Sequence, residues 1–223
     1  MKITKKEIAP IFILFLMGIF AASLYTAPCI TRVPSHWNAA GQIDGYSSKA
    51  FAALFFPLLT VAVYLLMLIL PTIDPLKENY HYFEKEYYFI RLILVLFMAG
   101  MFFFTFLAAI GHKLNIMYFM VPFLSFFFVI IGAFMPKIKK NWFVGIRTPW
   151  TLQSDEVWIR THKFAGKTMM AGGILAFFTV FLPSQVAFGF FLAIVLTSAL
   201  LPVAYSYFLY RKLEVSKKHG NIK

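Results

Sequence analysis

Charge is scarce in this chain. Only 13% of its 223 residues are charged, against 61% hydrophobic, whereas soluble domains carry roughly 45–50% apolar and about 25% charged residues. That balance excludes a water-soluble globule and marks an integral membrane protein. Cysteine is nearly absent too. Cys29 stands alone, which rules out an intrachain disulfide, and its expected role is that of a small apolar residue, buried or at the interface. Pro28 precedes it and no leucine stands three places upstream, so it does not mark a lipoprotein cleavage site. Also missing are a zincin motif, a nucleotide-binding glycine loop and a nucleophile elbow. No low-complexity tract and no soluble domain interrupts the chain. The reading is therefore of a non-enzyme, with no cofactor and no metal expected.

What the chain does contain is length without charge. Segments 8–27, 50–70, 92–111, 116–135 and 186–210 hold no Asp, Glu, Lys or Arg, and each reaches the roughly 20 residues a helix needs to cross about 30 Å of hydrocarbon. A sixth, 168–182, would rise only about 22 Å. Its helix is expected to begin earlier, with Lys163 and Lys167 snorkelling toward the headgroups. The first apolar run is longer than the about 7–15 residues of a cleaved signal and is read as a retained span. The expected fold class is all-α, a polytopic membrane protein with six transmembrane helices. Residues 1–111 form a first half with spans one to three and an external loop, 32–49. Residues 112–223 form a second half with spans four to six, a cytoplasmic loop, 136–167, and a basic tail.

Lys and Arg stay preferentially on the cytoplasmic side. With six spans and both termini inside, only Arg32, Lys49 and Lys113 of the 21 basic residues fall outside. The inner set runs from Lys2, Lys5 and Lys6 through Lys137, Lys139, Lys140, Arg147, Arg160, Lys163 and Lys167 to Lys217, Lys218 and Lys223. That lopsidedness supports both the span count and the direction. It also accounts for the net charge of +12 through attraction to anionic lipid, and no basic module is long enough to bind nucleic acid. Trp37, Trp142, Trp150 and Trp158 all fall in connecting segments, as expected of an aromatic belt. Pro57, Pro122 and Pro202 fall inside spans, where neighbouring helices compensate for the lost donor. Gly172 and Gly173 make a flat patch suited to close helix packing.

Two segments invite a functional question. The external "RVPSHWNAAGQIDGYSSK", residues 32–49, is dense in turn formers, and its Asp44-Gly45 pair favours a tight turn. His36, Asn38 and Asp44 are expected to form a small hydrogen-bonded cap; recognition of an outside ligand is the rival reading. One imidazole and one carboxylate fall short of the three protein ligands of a catalytic zinc. The internal "NWFVGIRTPWT", residues 141–151, reads as a folded loop at the interface. Trp142, Phe143, Ile146 and Trp150 sink to headgroup depth while Arg147 is left to bond phosphate or carbonyl oxygens. Ser154 reads as a helix N-cap, with Asp155 and Glu156 in the first turn, and positions 157, 158, 161, 164 and 165 share one helical face. Composition favours lipid anchoring, but anchoring does not demand the order G-I-R-T-P-W-T, and a docking surface does. For the link 74–88, "DPLKENYHYFEKEYY", a short interfacial helix or a partner site is the rival reading, but Glu84, Glu86 and His81 are most simply a solvated connection.

In order and spacing these two segments resemble known signatures. Residues 34–49, "PSHWNAAGQIDGYSSK", are similar to the signature loop of a widespread bacterial membrane domain of unassigned function. "NWFVGIRTPWT" followed by Ser154-Asp155-Glu156-Val157-Trp158 resembles the signature of the SdpI family. The resemblance implies a six-span, non-catalytic protein of the bacterial plasma membrane that protects its host from a secreted, membrane-active toxin peptide. For the founding member it also implies holding a transcriptional repressor at the membrane. Carried over as candidate recognition positions are Gly145, Arg147, Thr148, Pro149, Trp150, Thr151 and Trp158 inside, and Pro34, His36, Trp37, Asn38, Gly41, Asp44, Gly45 and Lys49 outside. The partners implied are the bilayer, a hydrophobic toxin peptide and a cytoplasmic repressor, with no direct nucleic-acid contact.

The rival readings are a signalling receptor, or a relative without an immunity role, that recruits a partner through 136–167, and a transporter or membrane enzyme. Ion and proton paths need intramembrane ionisable residues. These spans show only Arg91 and His112, both read at span edges.

Overall fold

The computed structural model describes the backbone of residues 5–220 and the side chains of residues 6–215. Of the basic set, Lys2 and Lys223 lie outside the described residues, and Lys5, Lys217 and Lys218 outside the described side chains. Six helices are long and apolar enough to cross a membrane: α1 (Ile8–Thr26), α2 (Lys49–Ile73), α3 (Glu84–Ala109), α4 (Met117–Phe134), α6 (Asp155–Phe178) and α7 (Ser184–Gly220). A short helix, α5 (Pro149–Gln153), precedes α6. An antiparallel hairpin, β1 (Arg32–Trp37) and β2 (Ile43–Ser48), joins α1 to α2. The protein is thus the all-α polytopic membrane protein that the charge-free runs predict, with the hairpin its β element among the described residues.

Outward-facing apolar side chains explain why these helices need a bilayer. Phe15, Leu58 and Phe208 are 63%, 62% and 68% exposed. In water such a surface drives aggregation; in hydrocarbon it is the solvated face, and each helix satisfies its own backbone. Helices in lipid associate through close packing and buried hydrogen bonds rather than through the hydrophobic effect.

The chain forms two compact units, one of residues up to Ile69 with Tyr88–Phe123 and Val180–Phe188, the other of Leu70–Tyr87, Leu124–Thr179 and the chain from Gly189 on. In the first, Met17, Ala21 and Leu24 of α1 pack with Val33 of β1, Ala52 and Ala53 of α2 and Phe102 of α3. In the second, the glycine pair packs as expected. A Cβ on Gly172 would stand 2.5 Å from the Ser198 Cβ of α7, and one on Gly173 would stand 2.6 Å from the Ser125 carbonyl oxygen of α4. Pro57, Pro122 and Pro202 all lie within unbroken helices.

Helix α3 begins at Glu84, well before residue 92, which corrects the placing of Arg91 at a span edge. Arg91 lies two turns into the helix, 7% exposed, and its guanidinium pairs with the Glu7 carboxylate. Tyr64 donates its hydroxyl to the same carboxylate at 2.7 Å, and the rings of Tyr64 and Tyr88 flank the guanidinium, their centroids 5.7 and 5.8 Å away. A buried charge is tolerable when it is paired and hydrogen-bonded. This arginine serves to hold α1, α2 and α3 together, so it does not by itself mark an ion path. The link ahead of α3 is also corrected. His81 and Glu84 are exposed as expected, but Glu86 is largely buried and pairs with Lys137 at 3.2 Å, Tyr80 and Phe83 are turned inward by a 3-10 helix over Lys77–Phe83, and Asp74, ahead of that helix, is buried too.

Candidate functional site

The 141–151 motif is built around one amide. Asn141 is fully buried. Its Nδ2 donates to the carbonyls of Lys139 and Val144, both at 2.9 Å, and its Oδ1 accepts from the backbone N–H groups of Phe143 and Val144 and, at 3.3 Å, from the Tyr80 hydroxyl. Asp74, 2% exposed, completes the arrangement by accepting from the Tyr80 hydroxyl at 3.0 Å and from the Trp142 N–H at 2.9 Å. Asn79 adds a 2.7 Å bond from its Nδ2 to the Lys140 carbonyl. The 74–80 link and the motif loop are therefore one hydrogen-bonded body, with its buried polar groups satisfied as low dielectric requires.

Downstream, Thr148 caps α5. Its Oγ1 accepts from the Thr151 N–H, the Thr151 Oγ1 accepts from the Thr148 N–H, and Pro149 takes the first helical position. The sequence T-P-W-T spells this reciprocal cap; reading 141–151 as loop throughout overlooked it. Thr148 also bonds Ser206 of α7 at 3.1 Å, and Trp150 meets the Tyr207 ring edge-on at 5.0 Å. Ser154 caps α6 through the Val157 N–H, as expected, and that helix runs unbroken into the fifth span.

His162, 1% exposed, pins the middle of the loop. Its Nε2 lies 3.1 Å from the Ile146 N–H, so it must accept, and Nδ1 carries the proton that is donated to the Trp158 carbonyl at 2.9 Å. The imidazole is thereby fixed in its neutral Nδ1–H form. Gly145 has φ +110°, and a Cβ there would stand 2.4 Å from Nε2. Gly145→Ala should therefore break the His162–Ile146 bond and strain the backbone, at a cost of about 1–3 kcal/mol. A thermal melt of the purified protein in detergent will show it as a lowered midpoint with α-helical content retained.

The positions of this motif named from sequence thus divide by exposure. Thr148, Thr151 and Trp158 are buried and hold the loop. Trp158 belongs to the core of α6 rather than to the aromatic belt: it is 2% exposed, donates Nε1 to the Ile138 carbonyl at 2.9 Å and stacks on His162 at 4.1 Å. Phe143, Ile146 and Trp150 are half-buried, and Pro149 is exposed. Trp142, 48% exposed, and Arg147, also exposed, face outward. Arg147 is not wholly free, since it donates to the Trp142 carbonyl at 2.6 Å and so ties these two surface residues together. Sequence reasoning missed Asp74, Tyr80 and His162 as parts of the site, because nothing in a local pattern says that Asp74 and Tyr80 bond residues 68 and 61 positions further on, or that His162 bonds a backbone N–H 16 positions before it.

The 32–49 loop is a bulged hairpin pairing Val33 with Ser47 and His36 with Gly45. Its turn is closed by Asn38, whose Oδ1 accepts from the Ala40 and Gln42 N–H groups, each at 3.0 Å, and by Gly41 at φ +77°. This corrects the tight turn expected at Asp44-Gly45: both residues lie inside β2, with Gly45 closely facing His36. His36 Nδ1 pairs with Asp44 at 2.6 Å, both well exposed, while Asn38 bonds the turn and not this pair. Lys49 donates to the Ala27 carbonyl at 2.8 Å, Trp37 packs edge-on against Phe104, and Pro34 is buried. Asn115 joins the Ala40 carbonyl to the Ser184 hydroxyl. Cys29 is an exposed free thiol. Among the described residues, no group of three or more His, Cys, Asp or Glu is placed to hold a metal ion.

Residues 137–206 match the SdpI/YfhL protein family, and residues 11–61 match a domain of unknown function, DUF1648. The chain is 24% identical over 213 residues to "Immunity protein SdpI" of Bacillus subtilis (strain 168), an alignment covering 96% of this chain and all of that relative. No solved structure matches.

Proposed function

We propose that this SdpI-family, multi-pass bacterial membrane protein confers resistance to a secreted, membrane-active peptide without itself catalysing a reaction. The observation that carries this reading is the similarity to an immunity protein along nearly the whole chain, together with two signature segments that are each locked by buried or turn-closing hydrogen bonds. Physically, the external hairpin with exposed Tyr46, His36 and Asp44 offers the amphipathic peptide polar and aromatic contacts, while the lipid-facing phenylalanines offer apolar area. Captured in this way, the peptide is kept from assembling in the bilayer. Under the orientation that the basic residues favour, the surface formed by Trp142 and Arg147 faces the cytosol and suits the capture of a cytoplasmic repressor.

Expression of the full chain in a peptide-sensitive strain, challenged with the secreted peptide of a related producer, is the test. Survival above empty vector is expected, and it should fall when the His36–Asp44 pair is removed by H36A/D44A with membrane levels unchanged. Survival equal to empty vector at normal membrane levels overturns the reading.

A further inference from the structure

We infer that the motif loop and the start of α6 form a binding site for a phosphate-bearing anion, and that its occupant is the headgroup of an anionic phospholipid. The site is a cleft of about 590 Å³ lined by Lys139, Lys140 and Lys163, with Asp155 at its rim. Lys140 bonds Asp155 at 2.9 Å, so that carboxylate is matched. Among the described residues, no carboxylate pairs with Lys139 or Lys163, and both are exposed. The cleft therefore carries two ammonium groups in excess. His162, at its base, adds no charge because its Nε2 is already accepting from the Ile146 N–H.

The rest of the lining selects among anions. Leu76, Ile138 and Ile159 give the cleft an apolar wall, and Ile159 is 48% exposed. A small hydrated anion gains nothing from such a wall, whereas a lipid lays the start of its acyl chains along it while its phosphodiester meets the ammonium groups. Position agrees. Lys139 and Lys140 follow directly on the candidate span ending at Lys137, and Lys163 lies in the first half of the one beginning at Asp155, so the cleft opens where headgroups are. Basic pockets beside transmembrane helices bind anionic headgroups by this combination of charge and apolar contact. The inference rests on the cleft and stands independently of the immunity reading.

Native mass spectrometry of the full chain in detergent, titrated separately with phosphatidylglycerol, phosphatidylcholine and inorganic phosphate, tests it. Wild type should retain one phosphatidylglycerol in preference to phosphatidylcholine. K139A/K163A should weaken that retention about 30-fold, the effect of two basic residues. K139R/K163R should restore it, and K217A/K218A, which removes the same charge from the tail, should leave it unchanged. An equal loss in the tail variant, or no preference between the two lipids in wild type, overturns the site. Phosphate retained without phosphatidylglycerol overturns the lipid assignment and leaves the cleft to the free anion. Should K139A/K163A migrate as an aggregate on size exclusion, the K139R/K163R pair read against K139Q/K163Q decides: retention by arginine and loss with glutamine supports the site, and equal retention by both overturns it.

Discussion

Arg91→Leu should destabilise the solubilised protein by about 3–5 kcal/mol, the cost of leaving a buried ion without its partner. The Glu7 and Arg91 side chains are 13% and 8% exposed, so solvent offers Glu7 little relief once the guanidinium is gone. Tyr64 still donates to it, but a neutral hydroxyl does not balance a carboxylate in low dielectric. The loss is expected as a lower midpoint in a thermal melt monitored by size exclusion. E7Q/R91M, which removes both charges while keeping much of the volume, should recover most of it, because replacing a buried pair by neutral groups is often close to neutral. A single variant as stable as wild type would show that the pair does not hold the first three spans together.

Asn141→Ala is the second large effect. The substitution strips the buried Asn141 partner from the carbonyls of Lys139 and Val144 and from the N–H groups of Phe143 and Val144. Each buried group left unpaired costs about 1–3 kcal/mol, so a total of about 3 kcal/mol or more is expected even if water satisfies some of them. Asn141→Asp, nearly the same shape, should be about as harmful, since it replaces two donors with a carboxylate facing the same two carbonyls. The loop should become protease-sensitive while the six helices remain, because the spans do not depend on it for their own backbone bonds. Limited proteolysis of membranes, followed by identification of the cut sites, checks this: cleavage within 141–148 is expected in the variants and not in wild type.

The two predictions differ in how visible their residues were beforehand. Asn141 stood inside a quoted signature, yet the sequence offered no reason to choose it over Arg147 as the centre of the loop. An arginine among tryptophans reads as a contact residue, whereas an asparagine shows its value only when five groups converge on it. Arg91 stands out in the sequence, but the charge-free window that locates the span begins just after it, which puts it at an edge, whereas α3 starts about two helix turns earlier. The partner of Arg91, 84 positions earlier, lay beyond any local pattern.

Local pattern alone determined what depends on neighbours along the chain: six charge-free lengths that must cross hydrocarbon, the Ser154 cap, the close-packing glycines, and the family signatures that led to the SdpI relatives. Polypeptide in a bilayer must close its own backbone hydrogen bonds, so length and apolarity suffice to specify helices there. Tertiary structure decided which polar groups are buried together: Asp74 with Tyr80 and Trp142, His162 under Gly145, Glu7 against Arg91, and the three lysines around one cleft. Those meetings depend on which helix faces touch, a matter settled by packing at distances that a linear code does not record.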